Sequence, residues 1–198
     1  MIWYEEEIKR LEHQRDQVAH QDEVLFYGSS SITQWKTLGQ DFPNRNVVNL
    51  GFGGSTLAAC VWFFERVMVS HQPKSMIFYG GDNDLGDGRN PEEVFGFFLQ
   101  LLAKVREQFG DIPFTFISIK PSIKRWNIVD NIKYANQLVE KELLARGGNH
   151  HFVNIFDAML GENGRPDPSL FEPDGLHLSP LGYQCWKEHL LQYPVPLL

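Results

Sequence analysis

The chain has 198 residues, 42% of them apolar and 22% charged, and carries a net charge of −7. That length and balance predict one folded domain, residues 1–198, and exclude a disordered or fibrous chain. Its 18 Lys and Arg are scattered rather than clustered, which argues against nucleic acid as a partner, because phosphate binding needs a concentrated cationic surface.

The opening segment MIWYEEEIKRLEHQRDQ is acidic and charged, where an export signal would be basic and then apolar. It predicts an amphipathic helix over about 2–19, packed on an outer face, and a cytoplasmic protein. Short runs rich in β-branched and aromatic residues follow at 24–28, 46–50, 75–80, 114–119 and 150–156. These read as strands, and each leads through a Gly-, Ser- or Pro-bearing turn into a longer segment, with helical spacing clearest over 91–109, 127–146 and 180–191. Pro91 and the pair Gly147-Gly148 fall where helices prefer proline at the start and glycine past the end. The alternation predicts a three-layer α/β/α sandwich around about five parallel strands. No apolar segment approaches the roughly 20 residues needed to span a bilayer; the longest candidate, 57–69, is broken by Glu65 and Arg66. Cys60 and Cys185 lie in apolar stretches and read as buried reduced thiols rather than a disulfide. The segments LAACVWFF (57–64) and YPVPLL (193–198) are expected to be covered either by the core or by a homodimer contact.

Open parallel sheets place their ligands beyond the carboxyl ends of the strands, so the segments just after strands carry the functional argument. The first strand runs into GSSSITQW (28–35), which presents serine hydroxyls at a strand-to-helix turn; helix capping by Ser29, Ser30 or Ser31 is the plain alternative. The α/β-hydrolase elbow is excluded because it needs glycine at 32, which is Ile32. The second strand ends in NLGFGGST (49–56), whose glycines let backbone N–H groups approach a ligand. A dinucleotide-binding loop would need glycine where Thr56 stands. After the third strand, GGDNDLGDG (80–88) sets Asn83 among carboxylates. A carboxamide there can donate to an oxyanion, whereas Asp82, Asp84 and Asp87 lack the calcium-loop pattern. FEPDGLHLSP (171–180) places Asp174 three residues before His177, a spacing that lets the carboxylate hold the imidazole in the tautomer of a general base.

Together these blocks resemble the SGNH/GDSL hydrolases, named for a Ser, Gly, Asn and His in separate blocks spanning most of the chain. The resemblance implies the SGNH hydrolase fold, which is flavodoxin-like, with Ser30 as nucleophile, His177 as base and Asp174 as its orienter. It also implies an oxyanion hole formed by Ser30, Gly54 and Asn83. The residues around the blocks, such as Trp35, are similar to the branch of platelet-activating-factor acetylhydrolase-like, lysophospholipase-like and acetylxylan-esterase-like proteins. Two departures stand out: Ser29 replaces the usual Asp of G-D-S, and Ser55 replaces the Asp of G-G-D. Both bear on substrate preference more than on chemistry.

The implied reaction is hydrolysis of a small-molecule ester through an acyl-enzyme, with no metal or organic cofactor. The absence of a long apolar insertion that would serve as a lid points to short, acetyl-like acyl groups. The loop KPSIKRWN (120–127) offers Lys120 and Trp126, with Ser29, as contacts for a polar alcohol half. The rival from another class is a non-catalytic carbohydrate- or lipid-binding module on the same fold.

Overall fold

The computed structural model describes residues 1–15 and 21–193. Five strands, β1 (Glu23–Gly28), β2 (Asn46–Gly51), β3 (Pro73–Tyr79), β4 (Phe114–Ile117) and β5 (His150–Val153), form one sheet in the order β2-β1-β3-β4-β5, all parallel. Side chains alternate between the two faces of a strand, and here both faces are apolar. Leu25, Tyr27, Met76, Phe78, Phe114 and Phe116 enter one core, while Val24, Phe26, Ile77, Tyr79 and Ile117 enter the other. This double burial is what a parallel sheet covered by helices on both sides requires.

The first core is covered by α1 (Glu5–Arg15), α4 (Leu57–Met68), α6 (Pro91–Phe109) and α7 (Val129–Arg146). The second is covered by the short α2 (Ser30–Thr33) and α3 (Leu38–Asp41) together with α8 (Pro180–Gln192), centred on Trp35 and Trp186. The helix starts follow local chemistry. Asn90 and Glu93 close a reciprocal capping box ahead of Pro91, and Ser179 caps α8 ahead of Pro180.

Three expectations are corrected. The first helix is split into a single 3-10 turn, Ile2–Tyr4, and α1; positions 16–19 of the expected helix lie outside the described residues. The fourth and fifth strands stop short, at Ile117 and Val153. There the Ser118 hydroxyl accepts hydrogen bonds from the Ile155 and Phe156 N–H groups, and Asn136 brackets the backbone of Ile119, so side chains replace the ladder. Finally, Cys185 is only half-buried, although both cysteines are free. The segment 57–64 forms α4, packed into the core except for Trp62, whereas 194–198 lie outside the described residues. No helix among the described residues is long and apolar enough to cross a membrane.

Candidate active site

The strand order reverses direction between β1 and β3, and the crevice beyond their carboxyl ends is where such sheets bind ligands. Gly28 ends β1 with φ +137°, and a Cβ there would fall 1.8 Å from the Tyr79 carbonyl oxygen. Only glycine permits this approach, which lets the Ser29 N–H donate to the Tyr79 carbonyl and the Phe52 N–H donate to the Gly28 carbonyl. The ends of β1, β2 and β3 are thereby tied together.

Ser30 is the first residue of α2 and is half-buried. The capping alternative does not hold, because Ser29 occupies the cap position without a side-chain capping bond. The Ser30 hydroxyl forms no hydrogen bond among the described residues. Gly54 has φ +66° with open space around its missing Cβ, so backbone conformation rather than crowding calls for glycine. Its carbonyl accepts from the Tyr4 hydroxyl at 3.0 Å, and Arg10 donates to the Gly51 carbonyl at 2.8 Å. The N-terminal segment thus holds this loop from outside.

Asn83 lies in the first turn of α5 (Asp82–Gly86), following Gly81 at φ +101°. Its Nδ2 donates to the Ser55 carbonyl at 2.9 Å, while its Oδ1 accepts from Arg125 Nη2 at 3.0 Å. A carboxamide has two N–H donors, so one remains for a ligand. Behind it lies a buried cluster. Asp82 Oδ2 is 2.7 Å from Lys120 Nζ, and Asp82 Oδ1 is 2.6 Å from Arg125 Nη1, an ion pair without hydrogen-bond alignment. Lys120 also donates to the Tyr79 hydroxyl at 3.1 Å. Burial pushes the Asp82 carboxyl up, but Lys120 and Arg125 outweigh it and hold it below its ordinary value. Burial likewise presses Lys120 down, and Asp82 more than reverses this. Asp84 accepts from the Leu57 N–H at the start of α4 and pairs with Arg89. Among the described residues no cluster of His, Cys, Asp or Glu is arranged to hold a metal ion.

The base side is more local. Asp174 Oδ1 accepts from the N–H groups of Leu176 and His177 at 2.9 and 3.0 Å, and Oδ2 lies 2.5 Å from His177 Nδ1. Partial burial raises the Asp174 carboxyl, but the bonds from the imidazole and the two N–H groups overcome it and lower the pKa to about 2. A carboxylate against Nδ1 is the arrangement in which an imidazole can accept a proton at Nε2. This loop is fastened to the Ser30 helix through α8. The Tyr183 hydroxyl donates to the Ser31 carbonyl at 3.0 Å, and its ring lies 5.3 Å from that of Trp35. The Lys124 N–H donates to the Gly175 carbonyl, tying in the loop after β4.

The structure therefore joins Asp174 to His177 directly and Asn83 to the Gly54–Ser55 loop directly. Ser30 is linked to the Asp174–His177 loop through Tyr183 and, among the described residues, makes no hydrogen bond of its own to His177. Two expected substrate contacts are corrected. Lys120 is 2% exposed and occupied by Asp82 and Tyr79, and Ser29 is also 2% exposed, so neither faces a ligand. Trp126 is half-buried with the Arg165 guanidinium 5.0 Å above its ring. Arg125, Asp82, Tyr4 and Tyr183 were not anticipated in these roles. The one available signal was an aspartate two glycines beyond an apolar strand, which calls for a cationic partner when buried. A cavity of about 760 Å³ between segment 34–41 and α8 is lined by Gln34, Thr37, Leu178, Tyr183 and Lys187 and flanks the His177 loop rather than covering Ser30.

Residues 19–185 match the GDSL-like Lipase/Acylhydrolase family, and the chain belongs to it. By that membership it is an ester hydrolase. Three solved structures share its fold. A Streptococcus pneumonia protein described provisionally as a platelet activating factor is 21% identical, with 96% of this chain and 91% of that one covered at TM-score 0.84. A GDSL-like lipase from Bacteroides thetaiotaomicron is 22% identical, covering 93% and 95% at TM-score 0.77. The acetyl xylan esterase AlAXEase is 18% identical, covering 87% and 100% at TM-score 0.72. No curated protein sequence matches the chain.

Proposed function

We propose that the chain is a serine esterase that moves a short acyl group from an ester to water through an acyl-enzyme on Ser30. The observation that carries this reading is the ionised Asp174 against His177 Nδ1, on a loop fastened by Tyr183 to the helix that Ser30 begins. Ser30 Oγ attacks the ester carbonyl as His177 Nε2 takes its proton. The imidazolium then returns that proton to the departing alcohol. Water, deprotonated by the same nitrogen, then attacks the acyl carbonyl, the bond to Oγ breaks as the imidazolium returns its proton to Ser30, and the acid leaves. Charge on the tetrahedral oxygen is met by the N–H groups of Ser30 and Gly54 and by the free Nδ2–H of Asn83, each worth about 3 kcal/mol of barrier. The likeness to an acetyl xylan esterase agrees with a short acyl group. With Lys120 buried, the polar alcohol half is left to exposed Lys124 and the half-buried Trp126.

The test is kcat/KM for p-nitrophenyl acetate against the palmitate ester, corrected for intrinsic reactivity, together with mass spectrometry of the protein after fluorophosphonate treatment. An adduct on Ser30 and a preference for acetate are expected. Preference for palmitate overturns the short-acyl assignment, and an adduct on Ser29 or Ser31 moves the nucleophile. Absence of both turnover and adduct points to a binding module.

A further inference from the structure

A carboxamide is nearly symmetric in shape, yet its two orientations are opposite in electrostatic effect. With Nδ2 toward the tetrahedral oxygen it donates; flipped, it presents a carbonyl and repels. The Ser55 carbonyl accepts from Nδ2, but a single bond on one atom leaves the opposite end of the amide free to swing. Arg125 secures that end, with Nη2 donating to Asn83 Oδ1 at 3.0 Å.

Two further observations show that this guanidinium is built in rather than adventitious. Its Nη1 pairs with buried Asp82 Oδ1 at 2.6 Å, with the Arg125 side chain 17% exposed. Its plane also rests on Gly86, where a Cβ would fall 2.5 to 2.8 Å from Nε, Cζ and Nη2. Glycine at 86 therefore makes the seat that the guanidinium occupies.

We propose that Arg125 is a positioning residue for the oxyanion hole, fixing the Asn83 carboxamide with its free N–H toward the substrate. The inference rests on the esterase reading above. Preorganised donors act on the transition state more than on the bound ester. Loss of Arg125 therefore lowers kcat and leaves KM nearly unchanged.

The experiment is a double-mutant cycle on p-nitrophenyl acetate hydrolysis with wild type, Arg125→Gln, Asn83→Ala and the double variant, each checked for folding by circular dichroism. Arg125→Gln is expected to lower kcat by about 10- to 100-fold with KM within about threefold, and Asn83→Ala by about 10²- to 10³-fold. In the Asn83→Ala background the Arg125 change should cost less than about threefold, because its route of action is already gone. Arg125→Lys keeps the charge without spanning both Asp82 and Asn83, so it should recover only part of the rate; it also stands in for the glutamine variant if that one fails to fold. An unchanged kcat, or a loss as large in the Asn83→Ala background as alone, overturns the inference while leaving the esterase standing. A wild-type protein without turnover or Ser30 adduct removes the esterase reading first, and the inference with it.

Discussion

Asp174 and His177 sit three residues apart on one loop with side chains 48% and 27% exposed, whereas Asp82, Lys120 and Arg125 come from two separate loops and are 5%, 2% and 17% exposed. The base side is held by local backbone N–H bonds and the proposed oxyanion side by buried long-range charge. A mutation on the first should change chemistry with little change in stability. On the second, chemistry and stability should be entangled, because removing one member leaves an unpaired buried charge.

The largest effect belongs where the two sides meet. Ser30→Ala should lower kcat by about 10⁶ and leave the melting temperature nearly unchanged, since the hydroxyl holds nothing in place. Stopped activity without a stability change is read by combining steady-state kinetics with thermal denaturation. Residual turnover near wild type would move the nucleophile elsewhere.

Asp174→Asn should cost about 10⁴ in kcat, by allowing the wrong imidazole tautomer, with the fold again intact. The pH dependence follows the same division. Asp174, lowered to about 2, contributes its stability above the ordinary carboxylate range and loses it only as pH falls toward that value. Asp82 is held low and Lys120 high, so the buried pair loses its contribution below about pH 4 or above about pH 10. Between pH 5 and 8 neither Asp174 nor the Asp82–Lys120 pair changes its contribution, whereas His151, whose pKa burial and the neighbouring His150 lower, makes stability decline as pH falls below the ordinary imidazole value of about 6.5. Melting temperature measured from pH 8 to 5 checks the sign, and a rise toward pH 5 would overturn it.

On the buried side, Lys120→Met should destabilise the protein by about 3–5 kcal/mol, because Asp82 loses its hydrogen-bonded cation in a dry site. Denaturant unfolding measures this. A surface lysine reaching toward substrate would instead raise KM and leave stability alone, so the pair of measurements separates the two placements.

The same contrast explains what was legible in the sequence. Doubly apolar strands such as Val24–Tyr27, the helix starts at Pro91 and Pro180, and the Asp174–His177 spacing are encoded within a few neighbouring residues. Lys120 misled because residues just after a strand usually face the ligand crevice, and its partner Asp82 lies 38 residues away. Nothing near Lys120 in the chain shows that it is paired. The ends of β4 and β5 were overextended for a similar reason: Ser118 takes N–H groups from residues 37 and 38 positions on, which periodicity does not reveal.

The smallest effect tests whether the N-terminal segment supports the glycine loop. The Tyr4 hydroxyl donates to the Gly54 carbonyl at 3.0 Å, while its ring packs edge-on to Phe52 and Phe63. Tyr4→Phe removes the hydrogen bond and keeps the ring, so stability should fall by only about 1 kcal/mol. Gly54 is in the left-handed region with no atom within 4 Å of where its Cβ would stand, so side-chain packing does not hold this peptide. Loss of the Tyr4 bond should let it reorient part of the time, with its N–H turned from the tetrahedral oxygen. Turnover should then drop by about three- to tenfold at nearly constant KM, a fraction of the cost of deleting a donor outright. Equal kcat for Tyr4→Phe and wild type would mean that the Tyr4 bond does not orient this peptide, leaving the loop to the Asn83–Ser55 and Arg10–Gly51 bonds.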